Sequence, residues 1–262
     1  MLFKKKKNTG VGKIIVGDKS FEGKAEGYDR LKDNVLYLNA DGNNKVIQIA
    51  SSVAHEGKTT VISNLAVSLG LTDKKVVVVD TDFRRPRLHH RFGKKMEGGL
   101  SEYVLGTMAK EEIIKPTDYK NVDIVTRGAK VYNPSLVLVS DKFKNFIKEL
   151  RETYDYVLID CAPVLSVSDY IHVLSVSDGV LFLVAYGQTT RNQVADAVKE
   201  LKQNKANILG SVFTMYNKKR DNYYHGYGHG YYYSYYKYYR DEGNDESTEE
   251  KTEEKEQAKD KE

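Results

Sequence analysis

Residues 46–60 read VIQIASSVAHEGKTT: an apolar run, a polar loop and the start of a helix. Val46–Ala50 predicts a buried strand, and Lys58–Leu71 places Val61, Leu65 and Leu69 on one helical face. Between them, Gly57-Lys58-Thr59 is the closing half of a phosphate-binding loop, in the strand-to-helix position that the motif requires. In such a loop the backbone N–H groups of Ala54, His55, Glu56 and Gly57 cradle phosphate oxygens, helped by the helix N-terminus. Lys58 neutralises β and γ charge, the Thr59 hydroxyl is the expected Mg²⁺ ligand, and Thr60 completes the binding set. Ser52 stands where the usual pattern has its first glycine.

The flanks of this unit alternate in the same way. Ala25–Leu38 carries apolar residues at helical intervals, and Val76–Val79 is consecutively β-branched, as in a strand covered on both faces. Strands are predicted over Val122–Val125, Tyr156–Ile159, Val180–Val184 and Ile208–Phe213, with helices over Asp141–Thr153 and Thr190–Asn204. This alternation predicts an α/β fold, a mostly parallel sheet flanked by helices in three layers, with ligands at the C-terminal strand ends.

Two of those strands end in carboxylates. After four valines comes Asp80-Thr81-Asp82, whose acids at i and i+2 of an extended segment point the same way. After Val157-Leu158-Ile159 comes Asp160, the form of the acid that positions Mg²⁺ in phosphate-loop enzymes. Together the three motifs predict an Mg·ATP site: Lys58 for the phosphates, Thr59 and Asp160 for Mg²⁺, and of Asp80 and Asp82 one to hold the metal and the other to accept a proton. Cys161 reads as a small buried residue. No N-K-x-D element is present to read a guanine base.

Composition divides the remainder. Asp241–Glu262 carries eleven acidic and four basic side chains, a local charge of −7. The whole chain is +4, so residues 1–240 carry +11. Tyr223–Tyr239 reads YYHGYGHGYYYSYYKYY and holds ten of the twenty tyrosines, with the periodicity of neither helix nor strand. The expected organisation is an irregular lead-in over 1–24, an ATPase domain over 25–216, a flexible tyrosine arm over 217–240 and a disordered acidic tail over 241–262. That tail argues against nucleic acid as a partner. The single cysteine and the lack of an apolar span of 18 residues lead to the expectation of a cytoplasmic protein.

The segments EGKTT (56–60), VVVVDTDFRRPRLH (76–89) and YDYVLIDCAP (154–163) make the chain resemble the bacterial tyrosine kinases of capsular and exopolysaccharide synthesis, in their Gram-positive cytoplasmic-subunit form. GLSEYVLG (99–106), NPS (133–135), SDGVLFLVAYGQTTR (177–191) and the tyrosine cluster fit as well. The resemblance implies a deviant phosphate-loop fold, with ATP and Mg²⁺ held around Lys58, Thr59, Asp80, Asp82 and Asp160. It also implies autophosphorylation of Tyr223, Tyr224, Tyr227, Tyr231, Tyr232, Tyr233, Tyr235, Tyr236, Tyr238 and Tyr239. A phenol is mostly protonated at neutral pH, so the transfer needs a base; Asp80 or Asp82 could serve. The arm's length allows cis or trans transfer, and the resemblance favours trans within a ring.

The same resemblance implies a membrane-spanning activator (the polysaccharide co-polymerase subunit) that recruits the chain to the inner face of the membrane, and a protein tyrosine phosphatase. Several positions depart from the family pattern. Ala54-His55 replaces Pro-Gly, Thr214 stands for an asparagine near the adenine, and Leu136 follows NPS in place of glutamate. Asp29 and Lys32 replace two arginines of the oligomerisation helix, which weakens the usual homo-oligomeric ring. The alternative reading is an ATP-hydrolysing switch of the partitioning or septum-positioning type; those carry a lysine where this chain has Val53.

Overall fold

The structure is a computed structural model that describes residues 13–18 and 22–216. Lys4–Lys7, the tyrosine arm and the acidic tail lie outside the described residues. In chain order the elements are α1 (Glu22–Leu38), β1 (Val46–Ser51), α2 (Lys58–Gly70), β2 (Val76–Asp80), α3 (Leu88–Arg91), α4 (Leu100–Leu105), α5 (Lys110–Ile113), β3 (Ile114–Pro116), β4 (Val122–Val125), α6 (Pro134–Val139), α7 (Asp141–Thr153), β5 (Tyr156–Asp160), α8 (Asp169–Leu174), β6 (Gly179–Ala185), α9 (Arg191–Gln203) and β7 (Ile208–Thr214).

The seven strands among the described residues form one sheet in the order β3-β4-β2-β5-β1-β6-β7. Every pairing is parallel except β3 with β4. The alternation of side chains along a strand divides the apolar residues between two cores. Val77, Val79, Val157 and Ile159 pack with Phe143, Phe146, Ala197 and Leu201 of α7 and α9. Val76, Val78 and Leu158 pack on the other face with Val35 of α1 and Ile62, Leu65 and Leu69 of α2. Burial on both faces is why β2 reads as four successive valines and not as an alternating strand.

The order matters for the site because it places β5 between β2 and β1. Asp80 pairs in register with Asp160, and Asp160 pairs with Ile49, two residues before the phosphate loop. Three motifs far apart in sequence therefore meet at the C-terminal ends of three neighbouring central strands.

Two readings are corrected. The first helix opens at Glu22, so the stretch read as an irregular lead-in already contains its first turn. The sequence reading also passed over α3, α4, α5, β3, α6 and α8, each six residues or shorter. Such pieces do not complete the turns that reveal a helical period. β3 contains Pro116, which an edge strand tolerates because one side of it makes no ladder.

The oligomerisation departures have intramolecular partners. Asp29 Oδ1 accepts from Ser68 Oγ of α2 at 2.8 Å, and Lys32 Nζ lies 3.2 Å from Asp33 Oδ1. Asp29 thus ties α1 to α2 of its own chain.

Candidate active site

The loop from Ser51 to Gly57 turns through two left-handed residues, His55 (φ 71°) and Gly57 (φ 93°). Gly57 is the N-cap of α2, so the helix presents its first N–H groups with no side chain in front of them. His55 occupies a conformation that favours glycine, the residue that the resemblance led one to expect at this position. Its ring Nε2 lies 3.3 Å from Arg85 Nη1, across the mouth of the loop.

Lys58 is buried and donates from Nζ to Ser51 Oγ at 3.0 Å, which folds the ammonium back over the loop. Ser52 is fully buried, and its Oγ has no hydrogen-bond partner among the described residues. Thr60 Oγ1 accepts from Arg91 Nη2 at 2.6 Å. Glu56 is the loop residue whose side chain has a purely internal task. Its carboxylate is buried and accepts from Val53 N–H at 2.7 Å, from the Thr189 hydroxyl, and from Ala185 N–H at 3.5 Å. Glu56 thereby buttresses the loop against the end of β6, and only its backbone remains for phosphate. Thr214 Oγ1 donates to the Glu56 carbonyl at 2.7 Å, a second brace from the end of β7.

The carboxylates meet the loop at Thr59, whose hydroxyl donates to Asp160 Oδ2 at 2.7 Å. The other oxygen, Asp160 Oδ1, is buried without a partner among the described residues. Burial pushes the Asp160 carboxyl up, and the Lys58 charge and the Thr59 hydrogen bond only partly offset it. Asp80 is pushed up as well, by burial first and then by its acidic neighbours Asp160 and Asp82. Both Asp80 oxygens accept backbone N–H groups, from Asp82 at 3.1 Å and Leu88 at 3.3 Å. Asp82 is half-buried, and its Oδ1 caps the following turn by accepting from Arg84 N–H at 3.1 Å and Arg85 N–H at 2.9 Å.

Like charges forced together in a dry site, one with an orphaned oxygen, are the arrangement that a cation relieves. The acids do not form a closed cage: no group of three or more acidic, histidine or cysteine side chains among the described residues encloses a metal. Mg²⁺ keeps waters and substrate phosphates in its shell and takes one or two protein carboxylates, and Thr59 with the orphaned Asp160 oxygen supplies that kind of partial shell. The donor set therefore fits a magnesium-bound phosphate ligand.

The sequence reading missed Arg91. Its guanidinium reaches Thr60 while Nε and Nη1 are buried without partners among the described residues, and burial lowers its pKa despite Asp160 nearby. A lone arginine in a run of basic residues gives no signal of this kind. Cys161 is buried as expected: Gln48 Nε2 lies 3.1 Å from its Sγ, and burial pushes the thiol up to about 12.

A parallel sheet whose first strand feeds a phosphate loop, with acids at two neighbouring strand ends, defines a nucleotide-using protein of the phosphate-loop NTPase class. The comparisons narrow that class. Residues 44–211 match a family model described as AAA domain. The chain is 31% identical over 188 residues to tyrosine-protein kinase YwqD of Bacillus subtilis strain 168, covering 72% of this chain and 79% of that protein. The crystal structure of the chimerical protein CapA2B2 superposes with a TM-score of 0.73 at 27% identity, over 76% of this chain and 88% of that one. The septum site-determining protein MinD from Pyrococcus horikoshii, complexed with Mg-ADP, superposes less closely: TM-score 0.56 at 26% identity, over 64% and 69%. The chain belongs to the bacterial tyrosine-protein kinase family, and the switch-type alternative gives way to it.

Proposed function

We propose that this protein-tyrosine kinase transfers the γ-phosphoryl group of Mg-ATP to tyrosines of its own cluster between Tyr223 and Tyr239, in trans between copies. The observation that carries the assignment of the site is the convergence of Thr59, Asp160, Asp80 and buried Lys58 at the C-terminal ends of neighbouring central strands. Backbone N–H groups from Ala54 to Lys58 hold the phosphates, and Lys58 neutralises charge on the β and γ oxygens. Thr59 and Asp160 would hold Mg²⁺, with Asp80 and Asp82 around it. Bound there, the ion supplies Lewis-acid neutralisation of charge on the phosphates.

Asp82 is assigned as the base. Asp80 is sealed, with both oxygens taken by backbone N–H groups, whereas Asp82 is half-buried and can meet an incoming side chain. The phenol proton passes to the Asp82 carboxylate as the phenol oxygen bonds to γ-phosphorus. The bond from γ-phosphorus to the β–γ bridging oxygen breaks, and ADP leaves with that oxygen. Successive phosphates on one arm, each about −1.5 to −2 in charge, then repel and loosen any assembly of copies.

No described helix is long and apolar enough to cross a membrane. The proposal places the chain at the inner face of the membrane through a membrane-spanning activator, with a tyrosine phosphatase resetting the arm, as part of capsular or exopolysaccharide synthesis. The supports are the family membership and the tyrosine-rich cluster.

The deciding experiment is tandem mass spectrometry of residues 217–240 from native cells, for wild type and Lys58→Met in the same background. Phosphates on Tyr223–Tyr239 in the wild type alone establish the reading. Equal phosphorylation in the Lys58→Met chain, with no other kinase acting, removes the site assignment.

A further inference from the structure

Asp169 opens α8, outside every motif that the reaction uses, and is almost wholly buried. Ser135 Oγ of α6 donates to its Oδ1 at 2.9 Å, and Arg84 Nε donates to its Oδ2 at 3.1 Å. A buried carboxylate normally serves the groups that neutralise it, and here they come from two other segments. One is the NPS segment at the start of α6, whose N-cap Asn133 accepts from Ser135 N–H at 3.2 Å. The other is the connection between β2 and α3, the stretch that carries Asp82.

That connection has no regular secondary structure from Thr81 to Arg87, so its shape depends on its anchors. At its base Thr81 Oγ1 donates to the Asp160 carbonyl at 2.8 Å. In the middle Arg127 Nη1 donates to the Phe83 carbonyl at 3.1 Å. At the far side the anchor is the Arg84 side chain on Asp169. Arg84 N–H also caps Asp82 Oδ1. Of the two residues whose backbone N–H groups orient the Asp82 carboxylate, Arg84 and Arg85, the first is therefore pinned, through its side chain, by Asp169.

We propose that Asp169 is a positioning residue for the phosphoryl transfer: through Arg84 it fixes the turn that aims Asp82, and through Ser135 it locks α6 to the same point. This rests on the assignment of Asp82 given above. The bland alternative is a pin between α6 and α8 without consequence for the site. Groups that hydrogen-bond a metal's ligands typically change affinity or activity about 10–100-fold when lost, and Asp169, which acts one link further out through Arg84, is placed at the low end of that range.

The test compares the full chain with Asp169→Asn, which keeps the shape and removes the charge, and with Ser135→Thr, which keeps the hydroxyl. Amide hydrogen exchange without nucleotide is the first readout. In Asp169→Asn the Arg84 and Arg85 amides are expected to exchange at least about tenfold faster, with β2 and β5 unchanged. The second readout is kinetic: the Mg²⁺ concentration for half-maximal phosphorylation rises, or kcat falls, about tenfold or more, while KM for ATP stays within about twofold. Ser135→Thr is expected to match wild type in both. Unchanged exchange at Arg84 and Arg85 in Asp169→Asn, or faster exchange confined to α6 and α8, overturns the proposal. Absence of phosphotyrosine in the wild type itself sinks the kinase reading instead, and the exchange measurement still judges Asp169.

Discussion

The Thr59 hydroxyl donates to Asp160 Oδ2 at 2.7 Å, joining the first turn of α2 to the last residue of β5 across 101 positions of sequence. Without a cation this bond is one of the few compensations for a carboxylate held buried near Asp80 and Asp82. Asp160→Asn removes a charge that is costly to bury and keeps the side chain's shape. Phosphorylation is expected to fall about 100–1,000-fold, the scale seen when one preorganised charge-stabilising group is lost. The melting temperature of the nucleotide-free protein is expected to hold or rise. A variant that loses activity and stability together would mean the carboxylate is structural.

Glu56 is predicted to be the stability hinge of the loop. Glu56→Ala leaves the Val53 N–H group and the Thr189 hydroxyl facing a cavity, while Ala185 N–H keeps its second acceptor, Thr189 Oγ1 at 3.3 Å. Each buried polar group left unpaired costs about 1–3 kcal/mol, so the two together predict a loss of about 2–6 kcal/mol. Chemical denaturation measures it. Isothermal titration with ATP should show weaker binding as well, because the loop loses the brace that sets its shape.

The architecture was legible wherever apolar residues kept a period over a whole element. α7 and β4 fall on their expected boundaries, β1, β2, β5 and β7 run one residue further at the C-terminal end, β6 is one longer at each end, α2 stops one residue early and α9 is one shorter at each end. The three strand-end motifs were legible because each follows a buried strand. What stayed hidden is the short elements between Thr81 and Asn121, together with α6 and α8, pieces of three to six residues that are held by tertiary contacts and have no pattern of their own. The polar partners were hidden for a related reason. Glu56 bonds to Thr189 and Asp169 to Arg84, pairs that only the folded sheet brings together. The sequence shows that these residues are polar but not that they are buried.

His55 gives a prediction with a sign that depends on the substituent. At φ 71° any side chain bears the left-handed penalty of about 1–2 kcal/mol, which glycine escapes at the cost of about 0.5–1 kcal/mol of unfolded-state entropy. His55→Gly is therefore expected to hold stability or raise it by up to about 1 kcal/mol. His55→Val, branched at the β carbon, is expected to lower it by about 1–2 kcal/mol. Paired thermal melts decide; a fall in both variants would mean that the contact with Arg85 outweighs the backbone term.

Cys161 closes the set because its titration has a fixed direction. Burial, ahead of every other influence, raises the thiol from 9.0 to about 12, so the folded protein keeps its proton where an unfolded chain loses it. A raised folded-state value means that its contribution to stability is complete below pH 9 and is lost as pH climbs toward 12, at up to about 1.4 kcal/mol per unit. Lysines and tyrosines titrate in the same window, so the measurement is the difference between wild type and Cys161→Ala. The alanine chain leaves a small cavity and is expected to be less stable at pH 8, by about 1 kcal/mol. Between pH 9 and pH 11 that gap should close and then reverse, because only the wild type carries the thiol. At pH 8 the native thiol is also expected to resist alkylation until denaturant is added. Rapid labelling of the folded protein would show that the strand end opens far more readily than its burial implies.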